Sequence, residues 1–230
     1  MGEDMKAFVS WSSGKESCLS LFRTQKKLQV EYLFNMAAED GRHSRSHGIG
    51  SDLIQSQADA LGLALIQRNS SWPDYEETFK KTLVGLKEEG VTAGVFGDID
   101  VQAHRDWVEG VCGFAGIKAV LPLWQEQREP LVREFIDAGF RAVVVCVNSR
   151  YLGREWLGRE IDDKFIADIK KTGTSDIAGE RGEYHTFVFD GPLFKKPLKF
   201  SAGEKRQDNE YCFLELVGRS NNDLTNGDGI

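Results

Sequence analysis

The chain has 230 residues, 40% of them hydrophobic and 28% charged, and a net charge of −7. That balance belongs to a folded globular protein with a full core. It excludes a main surface built to grip nucleic acid, which needs clustered Lys and Arg. No apolar run approaches the roughly 20 residues of a membrane-spanning helix. The acidic start, Met1-Gly2-Glu3-Asp4, lacks the basic-then-apolar order of a secretion signal, which places the chain in the cytoplasm. Cys18, Cys112, Cys146 and Cys212 form no CxxC pair and are expected as reduced, buried thiols. The densest basic patch is Arg42, His43, Arg45 and His47.

In chain order, Ala7-Phe8-Val9 predicts a first strand and Glu16 to Lys27 a helix, with Cys18, Leu19, Leu21 and Phe22 for its inner face. Tyr32 to Met36 is a second strand. Asp52 to Leu61 is a helix with Ser51 as N-cap, stopped at Gly62. Leu63 to Ile66 is a third strand, Tyr75 to Glu89 a helix ended by Gly90, and Thr92 to Phe96 a fourth strand. Ala103 to Phe114 is a helix and Ala119 to Leu121 a fifth strand. This alternation predicts an α/β fold, a doubly wound parallel sheet. Ligands bind such sheets beyond the carboxyl ends of the strands, here at Ser10–Lys15, Met36–Gly50 and Gly97–Gln102.

The rhythm changes after Pro122. Glu129 to Ala138 is a helix, Ala142 to Val147 an apolar strand and Ile161 to Lys171 a helix. Phe187 to Phe189 and Tyr211 to Leu216 are strands separated by a Lys-rich stretch. These elements predict a second, smaller α+β domain over 125–218, after a first domain over 1–124. Residues 219–230, dominated by Asn, Asp, Gly and Ser, are expected as a disordered tail.

The turn leaving the first strand carries the chemistry. Ser10-Trp11-Ser12-Ser13-Gly14-Lys15-Glu16-Ser17 runs straight into a helix. Small residues let backbone N–H groups approach an anion, and the helix N-terminus adds partial positive charge. Lys15 supplies a full charge for a phosphate, and Ser12 and Ser17 supply hydroxyl donors. The GxxxxGK[ST] spacing of a Walker A loop is absent.

The segment resembles the SGGKDS pyrophosphate loop (PP-loop) of N-type ATP pyrophosphatases, with Ser13 in place of a glycine and Glu16 in place of the aspartate. A residue with a side chain at position 13 is strained if the turn needs positive φ. Two later segments, Leu152-Gly153-Arg154-Glu155-Trp156-Leu157-Gly158-Arg159 and Ala178-Gly179-Glu180-Arg181-Gly182-Glu183-Tyr184-His185-Thr186-Phe187-Val188-Phe189-Asp190-Gly191-Pro192-Leu193-Phe194, resemble the ESWLGR and AGEGGEFETFVLDxPLF signatures of the diphthine–ammonia ligase family. The likeness runs over about residues 6 to 217. His185 stands where that signature has glutamate.

The resemblance implies a Rossmann-like sheet of HUP type and an ATP-dependent amidation. The family adenylates the carboxylate of diphthine on elongation factor 2, and ammonia displaces AMP. It implies ATP and magnesium as cofactors. The implied partners are ammonia and elongation factor 2 carrying diphthine, with no membrane and no strong nucleic-acid binding; a homodimer is left open. Nucleotide contacts fall on Ser10, Ser12, Ser13, Gly14, Lys15, Ser17, Met36 and Asp98, metal contacts on Glu16 or Asp98, and catalytic roles on Lys15, Glu180 and Glu183. Glu180 and Glu183, with the aromatic faces of Trp124, Tyr151, Trp156 and Tyr184, are expected to attract a cationic acceptor such as a quaternary ammonium. His104 and Arg105 lie on the helix that follows Asp98. Two alternatives stay open: a related ATP pyrophosphatase acting on another carboxylate or a small metabolite, and a non-catalytic ATP-binding regulatory module.

Overall fold

A computed structural model describes residues 5–44 and 47–219. The expectations for Met1–Asp4, for Arg45 and for residues 220–230 of the tail lie outside them. Five strands, β1 (Lys6–Ser10), β2 (Gln29–Ala37), β3 (Ala64–Asn69), β4 (Ala93–Val95) and β5 (Lys118–Val120), form a sheet of order β3-β2-β1-β4-β5. Every pair is parallel. The crossovers carry α1 (Lys15–Thr24), α2 (Ser51–Leu61), α3 (Tyr75–Glu88) and α4 (Gln102–Phe114). The fold is the expected doubly wound sheet, with its order reversing at β1 and β4.

Period-two alternation along β1 sets both faces. Phe8 points to a core made with Phe34, Phe79, Leu83, Val108 and Val111, so α3 and α4 cover that side. Ala7 and Val9 point the other way, to Leu19 and Leu21 of α1 and Leu53 and Ile54 of α2. That second core does not stop at the helices. It continues into Val144, Phe165, Phe187 and Val188 of the remainder of the chain.

The remainder is an antiparallel sheet of order β7-β6-β9-β8, from β6 (Arg141–Asn148), β7 (Tyr184–Asp190), β8 (Phe200–Asp208) and β9 (Tyr211–Gly218). Helices α5 (Arg128–Asp137) and α6 (Asp163–Thr172) accompany it. The stretch between β7 and β9, expected only as a Lys-rich separator, holds a further strand, β8, in its second half. β8 is an edge strand exposed along most of its length, so no buried alternation marks it. Two helix ends also differ. The first helix stops at Thr24, whose hydroxyl donates back to the Ser20 carbonyl at 2.7 Å. Ser51 is the first residue of α2 rather than its cap; Gly50 caps, and the Ser51 hydroxyl donates to Gly41 O at 2.8 Å. The four cysteines are free and buried, as expected.

Ser13 sits at φ 75°, the left-handed conformation that suits glycine. Its carbonyl accepts from Val188 N at 3.0 Å and from Gln57 Nε2 at 3.2 Å. Those two bonds hold the conformation in place. Its buried hydroxyl has no hydrogen-bond partner among the described residues. Left-handed backbone costs a residue with a side chain about 1–2 kcal/mol, and an orphaned hydroxyl adds to that. Ser13→Gly is therefore expected to raise the melting temperature by about 2–4 °C in thermal unfolding. Ser13→Ala, which drops the hydroxyl but keeps the strain, should recover only part of the gain.

Candidate active site

The turn between β1 and α1 is braced from three directions. Trp11 N donates to Phe34 O of β2 at 2.7 Å. The Trp11 indole donates to Gln57 Oε1 of α2 at 2.8 Å, and Gln57 Nε2 donates to Val188 O of β7 at 2.7 Å. Within the turn, Gly14 N donates to Ser12 Oγ at 3.3 Å, and Ser12 Oγ lies 3.2 Å from Ser17 Oγ. The first N–H groups of a helix have no partner inside it. In α1, that of Lys15 goes to Thr186 Oγ1 of β7 at 3.1 Å, while those of Glu16 and Ser17 follow in the same turn. Two glycines permit the crowding. A Cβ on Gly14 would stand 2.6 Å from His47 Cε1, and one on Gly97 would stand 3.0 Å from Glu16.

Opposite the turn lies the loop between α6 and β7. Asp176 organises it, accepting from Ala178 N at 3.2 Å and Glu180 N at 2.8 Å. Glu183, fully buried, accepts from Asp176 N at 2.8 Å and Arg181 N at 2.9 Å. Arg128 joins this loop to the one after β4. Its Nε and Nη2 donate to Asp100 at 2.9 and 2.7 Å, and Nη1 reaches Asp176 Oδ2 at 2.8 Å.

Turn and loop enclose a cleft of about 500 Å³ lined by Ser10, Ser12, Lys15, Glu16, Ser17, Asp98, Glu180, Tyr184, His47 and His185. Lys15 is 4% exposed. Its ammonium lies 2.6 Å from Ala178 O, 2.6 Å from Glu16 Oε1 and 4.5 Å from the Tyr184 ring centre. Burial alone would lower its pKa; Glu16, Tyr184 and Glu180 outweigh burial and raise it, so the charge stays. Burial, reinforced by the Glu16 carboxylate, pushes the Glu180 carboxyl well above the usual carboxylate range. His104 lies 3.2 Å from Asp98, and that contact raises its pKa. The rings of His47 and His185 lie 4.7 Å apart between centres, tilted by 35°. Burial, with Lys15 nearby, lowers His47 to about 4; burial and its neighbours His47 and Lys15 hold His185 well below the usual imidazole range. The neutral His47 donates from Nδ1 to Thr186 O at 2.9 Å.

A second hollow of about 540 Å³ adjoins the cleft, sharing Ser10, Ser12, His47, Phe96, Asp98 and His104. Met36 lines it with Trp72, Tyr75, Phe79 and Trp107. A larger groove of about 700 Å³ runs between β3 and α3, away from the turn.

The structure thus gathers Ser10, Ser12, Lys15, Glu16, Ser17, Asp98 and Glu180 in one cleft, with Met36 next door. Ser13 and Gly14 shape the turn without lining the cleft. Glu183 is turned inward, its oxygens taken by backbone N–H groups, so it orders the loop rather than facing a substrate. The expected aromatic cage does not form. Trp156 packs against Phe165 beneath Arg159, Trp124 lies under Arg105, and of the four rings only Tyr184 lines the cleft, facing Lys15. Nor is there a basic surface patch at His47, which is buried. Sequence reasoning missed Gln57, Arg128 and Asp176. A glutamine on the apolar face of α2 is the one local signal among them.

Turn, cleft and sheet order together make this an α/β protein of the PP-loop class. Family models described as diphthamide synthase N-terminal domain and diphthamide synthase C-terminal domain match residues 5–119 and 127–220. A Schizosaccharomyces pombe protein named diphthine–ammonia ligase is 30% identical over 92% of this chain and 39% of its own length. Proteins of the same name from Rattus norvegicus and Homo sapiens are 27% and 26% identical, each over 87% of this chain and 84% of their own. A solved structure described as a predicted subunit of tRNA methyltransferase from Methanocaldococcus jannaschii is 17% identical, with a TM-score of 0.45 over 82% of this chain and 98% of that one. The chain belongs to the diphthamide synthase family.

His47 gives the site a pH signature. Its pKa is lower folded than unfolded, so its contribution to stability is complete above pH 6.5 and is lost as pH falls towards 4. Between pH 7 and pH 5 that loss is about 2 kcal/mol. Urea unfolding of His47→Gln across this window should show a correspondingly shallower decline on the acid side than the parent protein.

Proposed function

We propose that this chain is an ATP-dependent amide ligase that adenylates an acceptor carboxylate for attack by ammonia, releasing AMP and pyrophosphate. The acceptor is diphthine on elongation factor 2, in keeping with the name its relatives carry. The observation that supports this most is the position of Lys15, at the junction of the phosphate turn and the acidic loop that ends at β7. Nucleotide and acceptor would then meet at one buried cation.

The hollow lined by Met36, Phe79 and Trp107 suits the base and ribose, and the cleft beside it suits the phosphates. The hydroxyls of Ser12 and Ser17 and the backbone N–H groups of Glu16 and Ser17 bind phosphate oxygens. Attack of a carboxylate on an α-phosphate depends on alignment and charge stabilisation, which Lys15 supplies. Magnesium is part of the same proposal. Among the described residues no cluster of three ligands stands ready. A phosphate-borne magnesium needs only one or two carboxylates, however, and Glu16 and Asp98 in the cleft fit that requirement. Bound there, it would neutralise developing charge on the phosphates. Glu180, whose pKa burial raises, lines the same cleft, where a carboxyl that holds its proton can donate a hydrogen bond to an acceptor oxygen.

No helix among the described residues is long and apolar enough to cross a membrane; a cytoplasmic location belongs to the proposal. So does the division into a nucleotide domain over 1–124 and a smaller domain over 125–218, supported by the two separate sheets. A second reading, a relative acting on another carboxylate, is favoured by the adjacent neutral imidazoles of His47 and His185. At residue 185 the signature has a glutamate that would suit a cation.

Incubation with ATP, magnesium, ammonium and diphthine-bearing elongation factor 2 should yield AMP only when the acceptor is present. AMP formed instead with other carboxylates, and not with this one, selects the second reading. Lys15→Ala should lower AMP formation about ten- to a hundred-fold, the loss of one charged hydrogen bond in the transition state; unchanged turnover removes Lys15 from the site. Arg128→Ala should lower kcat about ten- to a hundred-fold while the KM for ATP stays within about two-fold, because it sets the loop opposite the nucleotide. Arg128→Lys should restore little, since one ammonium cannot span Asp100 and Asp176.

A further inference from the structure

The Lys15 ammonium occupies a cage built by other groups of the protein. A backbone oxygen, Ala178 O, and a carboxylate oxygen, Glu16 Oε1, each lie 2.6 Å away, and the Tyr184 ring closes the third side at 4.5 Å. Carbonyl, carboxylate and aromatic face are the three partners an N–H-bearing monocation takes when it leaves water. An ammonium ion has the same charge as a lysine head and a fourth N–H donor in place of the stem. All the walls of the cage also line the 500 Å³ cleft, so it opens to solvent on the side where reactants enter.

The lysine is not bound to stay there. Its Cα is fixed as the first residue of α1, but four methylenes let the head swing. Phosphate oxygens seated on the turn compete for it with more charge than Glu16 alone offers. When the head turns to them, the Ala178 carbonyl and Glu16 Oε1 lose the cation they share at 2.6 Å, while Glu16 keeps its other oxygen for a metal. The cheapest replacement is a cation of the same shape.

We propose that the groups holding the Lys15 head form the binding site for an ammonium ion, filled once the lysine has turned to the nucleotide. Its use as nitrogen donor, in which Glu16 takes one proton so that the ammonia lone pair can displace AMP, rests on the ligase reading; its binding does not. The site orders the reactants, with nucleotide first and ammonium second, and sets the nitrogen against the loop that carries Glu180.

The full-length Lys15→Ala chain exposes the cage without nucleotide. Ammonium or methylammonium chloride at ten times its dissociation constant should raise the melting temperature of this variant by about 3–6 °C over sodium or potassium chloride of equal ionic strength. The parent protein, its cage filled, should show no such difference. Adding Tyr184→Leu should abolish the rise, and adding Tyr184→Phe should keep it. A rise equalled by potassium, a rise that survives Tyr184→Leu, or no rise in a folded Lys15→Ala chain overturns the site. Should Lys15→Ala not fold, the parent protein answers through the linewidth of 15N-ammonium. Broadening only with a non-hydrolysable ATP analogue supports the site, and equal linewidths with and without it overturn the site. AMP formation that fails with every acceptor would sink the ligase reading and leave these results standing. Flat binding alongside full turnover would sink the site alone.

Discussion

A buried positive charge at the start of α1 is the constraint around which the site is arranged. Taking an ammonium out of water costs several kcal/mol unless partners replace the water. Lys15 receives those partners from both halves of the chain: Glu16 from its own helix, and Ala178 and Tyr184 from the loop before β7. The loop must therefore sit close, and the tight turns around Asp176 and Glu183 bring it there. The same charge leaves its mark on its neighbours, helping to keep the two histidines neutral.

Much of the fold was legible because both faces of the parallel sheet are buried. Short apolar strands between amphipathic helices admit few other arrangements, and the turn after β1 then falls on the ligand edge by topology alone. β8 escaped because an exposed edge strand is shaped by pairing with β9 rather than by its own pattern. The helix end at Thr24 escaped because a side-chain-to-carbonyl bond carries no periodicity.

The site was legible wherever a residue acts through its immediate neighbours in sequence, as in the turn and in Glu180. It was not legible where burial reverses the usual meaning of a residue type. His47 looked like part of a basic patch, and the structure tucks it over Gly14 against Thr186. Glu183 looked like bait for a cation, and backbone N–H groups use up its oxygens. Trp156 looked like a cage wall, and it packs in the core against Phe165. In each case the deciding contact comes from elsewhere in the fold.

The backbone bond from Val188 to Ser13, with Gln57 spanning both strands, stitches the phosphate turn to the antiparallel sheet. The shared apolar interior runs beneath that seam. To part the two halves would break these bonds and expose that interior to water, a cost that a freely hinged pair of lobes does not bear.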